Sequence, residues 1–409
     1  MPLDGEAVRR GCQRSTVTAV RQLCGAEIDR FQAIAGEDAP LTVGCTQEAP
    51  RFIEAATALA RTRPIQYVNI RETAGWSSDA ASGGPKMAAL LAVANEPLPD
   101  APVVSFKSEG VILIYGRGEE AVEAGILLKD HLDVTVLLKP PAAIAPRAVA
   151  DFPVVMGAIR TAAGHLGAFD VAVDAFAQST PSSRGVLIFG RSRDGARSRC
   201  DIILDLSGES TLFAAPGLRD GYLRASPDSP AAILRAVLTA RDLVGVFDKP
   251  RYIAFDPQLC AHSRSGIVGC TRCLDVCPAG AIAPAGEHVT IDANICAGCG
   301  QCAALCPTGA ASYAAPPPDG LMRKLRAMLI AYREAGGDNA VVLIHDDEHC
   351  APLIDALARF GDGLPAQVLP LAVNEVTQIG LEAVTAASPM AHRPCGYCCA
   401  RGLAMTSSP

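Results

Sequence analysis

The sequence has no excess of positive charge: 36 Lys and Arg residues stand against 43 Asp and Glu residues in 409, a net charge of −7. Because no basic block is present to contact phosphates, nucleic-acid binding is not expected. No apolar run approaches the roughly 18–20 residues that a membrane-spanning helix needs. The N-terminus, MPLDGEAVRRGCQRS, also lacks the apolar core of a secretory signal. These absences predict a cytoplasmic protein with no membrane span.

Aromatic residues are scarce, at 5%, but hydrophobic residues make up 49% of the chain, so it is expected to be globular, with two to four domains. Cysteine is abundant. Of sixteen cysteines, seven lie between Cys270 and Cys306. In a large chain without a secretory signal, such bunching favours metal binding or redox chemistry over disulfides.

The bunched cysteines form an internal repeat. The two runs read Cys270-x2-Cys273-x3-Cys277-Pro278 and Cys296-x2-Cys299-x2-Cys302-x3-Cys306-Pro307. Each cysteine of the first run recurs 29 residues later in the second. The segments that follow also match, as CPAGAI and CPTGAA, and residues 288–291 (HVTI) are predicted to form a short strand between the two runs.

This spacing is typical of two-cluster bacterial ferredoxins, in which the cysteine before proline ligates the other cluster. The predicted ligands of one 4Fe–4S cluster are Cys277, Cys296, Cys299 and Cys302. The other cluster takes Cys270, Cys273 and Cys306. A zinc site would need only two cysteine pairs, not eight thiolates in a tandem repeat.

The second cluster needs a fourth ligand, because Ile267 stands where the regular spacing would place a cysteine. Cys260 is the nearest candidate, reached through the insertion AHSRSGIVG, and a loop of that length closes at modest entropic cost. Cys260 is therefore the predicted ligand. His262 as the ligand, or an incomplete three-iron cluster, are the alternatives.

Residues 110–139 are predicted to open a Rossmann-like domain. A strand (VILIYG) leads into a Gly116-x-Gly118-x-x-Ala121 turn, a helix and a second strand, DVTVLLK. Gly116 and Gly118 are the candidate nucleotide-binding residues. Two glutamates occupy the helix N-terminus, where a pyrophosphate would bind, and no acidic residue follows the second strand to bind a ribose. A nucleotide-free domain is therefore favoured over one that binds FAD.

Further strands and helices alternate along the chain, which predicts an α/β fold. Strands are expected at 41–45, 65–70, 185–190, 201–206, 341–345 and 368–373, and helices at 50–60, 231–244, 321–335 and 352–360. The expected organisation is several parallel-sheet domains with an inserted α+β ferredoxin domain. Its parts are an N-terminal α/β domain (1–105), the Rossmann-like domain (106–248), the ferredoxin domain (249–315), a C-terminal α/β domain (321–390) and a tail (391–409).

The remaining cysteines carry a weaker signal. Cys12, Cys24 and Cys45 are interpreted as small buried hydrophobic residues, with ligands or reactive thiols as the alternative. Cys395, Cys398 and Cys399 lie with His392 in a polar, aperiodic tail, for which a loosely ordered segment is expected rather than a metal site.

Several segments together resemble the FAD-binding subunit of heterodisulfide reductase. They are VGCTQEAPRF and YVNIRETAGW near the N-terminus, the Rossmann stretch from Gly110, and KPRYIAFDPQLC leading into the ferredoxin motifs. The stretch PLAVNEV…IGLEAVTAA is similar to the delta subunit of methyl-viologen-reducing hydrogenase. Ala74 stands where many relatives have a cysteine before Trp76, so no N-terminal cluster is expected.

The resemblance implies an electron-transfer subunit that keeps the clusters. The predicted function is relay of single electrons through two 4Fe–4S clusters, in complex with a dehydrogenase, hydrogenase or reductase. A flavin-containing oxidoreductase with its own active site, and a redox sensor or metalloenzyme assembly factor, are the alternatives.

Overall fold

The structure is a computed structural model that describes residues 4–13, 15–264, 266–390 and 396–397. The chain divides into two compact units, one made of residues 1–101 and 298–409 and the other of residues 102–297. The expectation for Cys395, Cys398, Cys399 and His392 concerns positions outside the described residues.

Helices and strands alternate through most of the chain. The α-helices are α1 (Gly5–Gly11), α2 (Ile28–Ala35), α3 (Ala49–Ala58), α4 (Gly84–Ala94), α5 (Glu119–Leu128), α6 (Pro230–Arg241), α7 (Arg272–Val276), α8 (Gln301–Ala304), α9 (Pro318–Glu334), α10 (Cys350–Phe360) and α11 (Leu381–Met390). The strands are β1 (Leu41–Val43), β2 (Ile65–Tyr67), β3 (Val103–Ser108), β4 (Val111–Gly116), β5 (Asp133–Leu138), β6 (Val154–Ala163), β7 (Phe169–Gln178), β8 (Ala196–Cys200), β9 (Ile202–Asp205), β10 (Tyr222–Arg224), β11 (Gly245–Pro250), β12 (Ile253–Phe255), β13 (Ile282–Ala285), β14 (His288–Ile291), β15 (Ala311–Tyr313), β16 (Val341–Asp346), β17 (Val368–Val373) and β18 (Gly396–Tyr397).

The unit formed by residues 1–101 and 298–409 contains two small parallel sheets. β1 pairs with β2, and β16 pairs with both β17 and β18. Apolar side chains of α9, such as Met328 and Leu325, pack against Val342 and Leu369 of the second sheet. These elements confirm the strand–helix–strand patterns predicted at both ends of the chain.

The unit formed by residues 102–297 is built on a seven-stranded sheet in the order β10-β9-β4-β5-β6-β7-β8. Strands β10 through β6 run parallel, whereas β6, β7 and β8 pair antiparallel. Ile114, Val136 and Ile202 in the central parallel strands are fully buried, as expected for strands covered on both faces. The predicted α/β class and the strand–turn–helix–strand order from residue 110 are confirmed.

An antiparallel ribbon joins the two ends of this sheet domain. β3 enters the domain and β11 leaves it, and Val103 pairs with Pro250 while Ser108 pairs with Gly245. A hairpin of β13 and β14 follows in the same unit and confirms the strand predicted at 288–291.

The strand predicted at 185–190 is wrong. Only one isolated bridge forms there, between Phe189 and Ser179, and Val186 and Ile188 are more than half exposed. The strands that complete the sheet are instead β6, β7 and β8, with β6 and β7 paired from Val155 to Ala163 apart from two irregularities in register. The finer division into five domains stays a prediction. Among the described residues, no helix has the length and apolar character needed to cross a bilayer.

Candidate iron–sulfur centre

Each cysteine-proline pair begins a tight turn closed by glycine. The amide of Gly280 donates to the carbonyl of Cys277 at 3.3 Å. The amide of Gly309 likewise donates to the carbonyl of Cys306 at 3.5 Å. Both glycines have positive φ, +64° and +70°, a conformation that glycine adopts without steric penalty. Proline presets the φ of the second turn position. The Cys-Pro-x-Gly motif is therefore a turn in both halves of the repeat.

The turn brings backbone amides to the cysteine sulfur. Ala281 donates its N–H to Cys277 Sγ at 3.3 Å, and Ala311 donates its N–H to Cys306 Sγ at 3.4 Å. The hydroxyl of Thr308 lies 3.7 Å from Cys306 Sγ. Hydrogen bonds to sulfur stabilise the thiolate that ligates iron, so the donor set fits the ligands of an iron–sulfur cluster.

The hydrogen-bond donors around Cys306 lower the pKa of its thiol. Burial raises the pKa of the Cys306 thiol, but the hydrogen bonds from Ala311, Thr308 and Ala310 together outweigh burial and hold the pKa below its ordinary value. A depressed thiol pKa favours the ionised form that a cluster requires.

The insertion between Cys260 and Cys270 folds back on itself. His262 is 4% exposed, and its Nδ1 lies 2.8 Å from the carbonyl oxygen of Cys270. The amide of Gly269 donates to the carbonyl of His262 at 2.7 Å. Because a carbonyl oxygen only accepts, Nδ1 of His262 is the donor in the bond to Cys270. These contacts hold the insertion against the carbonyl of Cys270 at a point two residues after Cys260, which is itself 7% exposed.

Three more cysteines of the repeat, Cys273, Cys277 and Cys296, lie in the unit formed by residues 102–297. Cys273 is on α7, and Cys277 follows its last residue in extended backbone. Cys296 donates its amide to the carbonyl of Asp292, whose carboxylate accepts from the amides of Asn294 and Ile295.

In the other unit, residues 298–313 are held by the C-terminal α/β region. Thr377 donates its hydroxyl to the carbonyl of Cys299 at 2.5 Å. Tyr313 donates its hydroxyl to the carbonyl of Gly298 at 2.8 Å, and Asn374 donates to that same hydroxyl oxygen at 2.7 Å. Cys302, on α8, is 8% exposed.

No three or more His, Cys, Asp or Glu side chains in the described parts of the chain are grouped to hold a single metal ion. The two predicted ligand sets, each of four cysteines, remain predictions from spacing.

Arg219 contacts the first turn and was not identified from the sequence. It follows a 3₁₀ turn, Pro216–Leu218, and its Nη2 donates to the carbonyl of Ala279 at 2.6 Å. Its Nη1 donates to the carbonyl of Gly164 at 2.8 Å, and the guanidinium lies 4.7 Å from the centre of the Phe213 ring. The segment APGLRDGY has no periodicity or motif that would single this arginine out.

The glycine turn of the Rossmann-like domain is occupied by the chain itself. Glu120 Oε1 accepts from the amide of Gly118 at 2.9 Å and from that of Arg117 at 3.3 Å. Lys139, at the end of β5, lies 3.0 Å from the carboxylate of Glu209, which also pairs with Arg117. A pyrophosphate at this helix N-terminus would need the amides that Glu120 holds. In the structure, Glu120 thus takes the two loop amides that a pyrophosphate would bind.

The three N-terminal cysteines differ in burial. Cys12 is 9% exposed, and burial raises the pKa of its thiol. Cys24 and Cys45 are half-buried against the core formed around Phe31 and Phe52.

The repeat, its turns and its sulfur donors define an iron–sulfur segment of the ferredoxin type. Residues 267–310 match the family model of the 4Fe-4S dicluster domain, which confirms the predicted two-cluster ferredoxin motif and iron–sulfur electron transfer. A search of curated proteins finds no match to the chain. Cys260 precedes the matched residues, so the match does not assign the fourth ligand of its cluster.

Proposed function

We propose that the chain relays single electrons through two 4Fe–4S clusters as a subunit or partner of a cytoplasmic redox enzyme complex. One cluster is ligated by Cys277, Cys296, Cys299 and Cys302. The other is ligated by Cys260, Cys270, Cys273 and Cys306. When bound, such clusters accept and release one electron at a time.

The paired Cys-Pro-x-Gly turns carry the proposal. Each presents a cysteine sulfur to backbone N–H donors, at Cys277 and at Cys306. The dicluster match over residues 267–310 supports the same chemistry. We place Cys260 as the fourth ligand of its cluster, and this is supported by the contact of His262, two residues after Cys260, with the carbonyl of Cys270.

The partner is a cytosolic dehydrogenase, hydrogenase or reductase. The resemblance of the N-terminal and ferredoxin-flanking segments to the FAD-binding subunit of heterodisulfide reductase supports this proposal. The resemblance of residues near 370–386 to the delta subunit of methyl-viologen-reducing hydrogenase also favours an assembly role. The Rossmann-like domain serves as a scaffold without flavin, since Glu120 occupies its loop amides.

Metal, sulfide and flavin content of the anaerobically purified full chain test the proposal. We expect about eight irons, about eight sulfides and no flavin absorbance, with 4Fe–4S signals in EPR spectra after reduction. Flavin bound in stoichiometric amount would support the flavoenzyme alternative instead. About four irons would contradict the cluster assigned to Cys260.

A variant pair separates electron relay from a sensing role of the other cysteines. Cys277→Ser should abolish electron transfer from a chemical reductant to an acceptor, whereas Cys45→Ser should leave it unchanged. Loss of transfer in the Cys45 variant alone would contradict the relay.

A further inference from the structure

Arg219 links the sheet domain to the turn that presents Cys277. Its guanidinium reaches the carbonyl of Ala279, two residues after Cys277, and that of Gly164 next to β6. Ala279 is 6% exposed, so this contact is shielded from water. A planar guanidinium can hold two acceptors at fixed angles, which a lysine ammonium cannot do equally well. Arg219 is thereby fixed relative to the Cys277 turn.

The two hydrogen bonds hold the charge of Arg219 without neutralising it, because both acceptors are neutral carbonyl groups. The guanidinium also lies over the face of Phe213. Its electrostatic partners are Asp292, Asp220 and the Cys277 thiol. Asp220 is itself paired with Lys249 at 2.9 Å, so part of its negative charge is compensated. Arg219 therefore places a half-buried positive charge at the turn that follows Cys277, with the carboxylate of Asp292 as its main opposing charge.

One-electron reduction adds one negative charge to a cluster and its thiolates. A nearby cation stabilises the reduced form more than the oxidised form, and this effect grows where water is excluded. A cation beside the Cys277 turn therefore raises the reduction potential of the cluster that Cys277 ligates.

We propose that Arg219 is a positioning residue that sets the reduction potential of the cluster ligated by Cys277 and holds its Cys-Pro-Ala-Gly turn. This inference rests on the proposed function, because it requires Cys277 to ligate a cluster. It gives the nucleotide-free sheet domain a role, as the source of the charge that distinguishes one cluster from the other.

The test is a redox titration of the full-length, cluster-loaded protein with dithionite, followed by EPR. The signal of the relevant cluster is the one lost in Cys277→Ser. We expect Arg219→Gln to lower the equilibrium constant for reduction of that cluster about tenfold, which equals about 59 mV for one electron. Arg219→Lys, which keeps the charge, should stay within about threefold of the wild type.

Arg199→Gln is the matched control, because it removes the same charge from a side chain that is 90% exposed in the same unit. We expect it to leave both potentials unchanged. If the Arg219→Gln protein does not retain its irons, the reduction potential of Arg219→Met is measured instead. This variant preserves an apolar contact with Phe213, and the same tenfold decrease in the equilibrium constant is expected.

The inference would be overturned if Arg219→Gln left the reduction potential of this cluster unchanged. It would also be overturned if Arg219→Lys lowered that potential as much as Arg219→Gln does. An equal shift of both clusters would also overturn it, because the proposed action is local. A wild-type protein without about eight irons would instead refute the proposed function. The iron content of the wild type thus separates the two failures.

Discussion

Glu120 accepts a hydrogen bond from the backbone amide of Gly118, two residues before it, at 2.9 Å. The same oxygen accepts from the amide of Arg117. The carboxylate thus takes the place that an anionic ligand would hold at the start of α5, where the helix dipole favours negative charge. Glu120 thus supplies, from the chain itself, the negative charge that the N-terminus of α5 favours.

Removing this carboxylate should open the loop. We expect Glu120→Ala to bind inorganic pyrophosphate about tenfold more tightly than the wild type, since two amide donors become available and one negative charge is lost. The free energy of unfolding should fall by about 1 kcal/mol, as for the loss of a helix cap. Isothermal titration calorimetry and thermal denaturation measure the two effects. Glu123→Ala, on the same helix, is the control, and equal pyrophosphate affinity in both variants would contradict the prediction.

The fourth ligand of the Cys260 cluster can be identified by substitution. Cys260→Ser should leave about four of about eight irons, whereas His262→Gln should retain about eight. Iron analysis and EPR of anaerobically purified protein measure both. The reverse pattern, with iron lost only in the His262 variant, would mean that the imidazole is the ligand. Cys24→Ser, a half-buried cysteine elsewhere, should change nothing.

The hydroxyl of Thr308 should raise the reduction potential of the cluster that we propose Cys306 ligates. A ligating sulfur carries no proton, so Thr308 Oγ1 must donate across the 3.7 Å separation. We expect Thr308→Ala to reduce the equilibrium constant for reduction of this cluster about threefold, or about 0.6 kcal/mol. Thr308→Ser keeps the donor and should match the wild type. Redox titration decides, and identical potentials in the alanine and serine variants would rule the donor out.

Lys86 should make stability depend on alkaline pH. It is fully buried, and Nζ donates to the carbonyls of Thr73 and Leu364. Burial lowers the pKa of Lys86 to about 8, against about 10.4 in an unfolded chain. Between these values the unfolded chain retains a proton that the folded chain has released. Raising the pH therefore stabilises the folded state, by at most about 1.4 kcal/mol per pH unit.

Thermal denaturation at pH 8, 9 and 10 measures this effect as the difference between the wild type and Lys86→Met. The stability of the wild type relative to the variant should rise with pH. The same comparison with Lys129→Met, a partly exposed lysine whose ammonium pairs with Asp130 and Asp151, should show no such trend. Parallel curves for the wild type and Lys86→Met would refute the prediction.

Much of the fold follows from local sequence patterns. The elements from β4 through β5 are predictable because a continuous apolar run, a glycine turn and a helical pattern occur in order. The 185–190 segment has the same apolar character, but its neighbours supply one bridge partner and no ladder. β6 (VVMGAIRTAA) escapes prediction because its alanines, glycine and threonine give little apolar alternation, although pairing with β7 stabilises it.

The candidate site is likewise predictable from the sequence only in part. Cysteine spacing predicts the cluster motif because ligand geometry constrains residues that are close along the chain. Arg219 reaches Ala279 across 60 residues, and Glu120 turns back onto its own loop. Such contacts depend on tertiary placement and on side-chain rotamers, which no local pattern encodes.

The ribbon of β3 and β11 has an evolutionary consequence. Because Val103 pairs with Pro250, the polypeptide enters and leaves the sheet domain at neighbouring points. A segment with adjacent ends can be gained, lost or exchanged by recombination without pulling the flanking chain apart. The region between these strands is therefore suited to exchange as a unit, independently of the cysteine repeat that follows it.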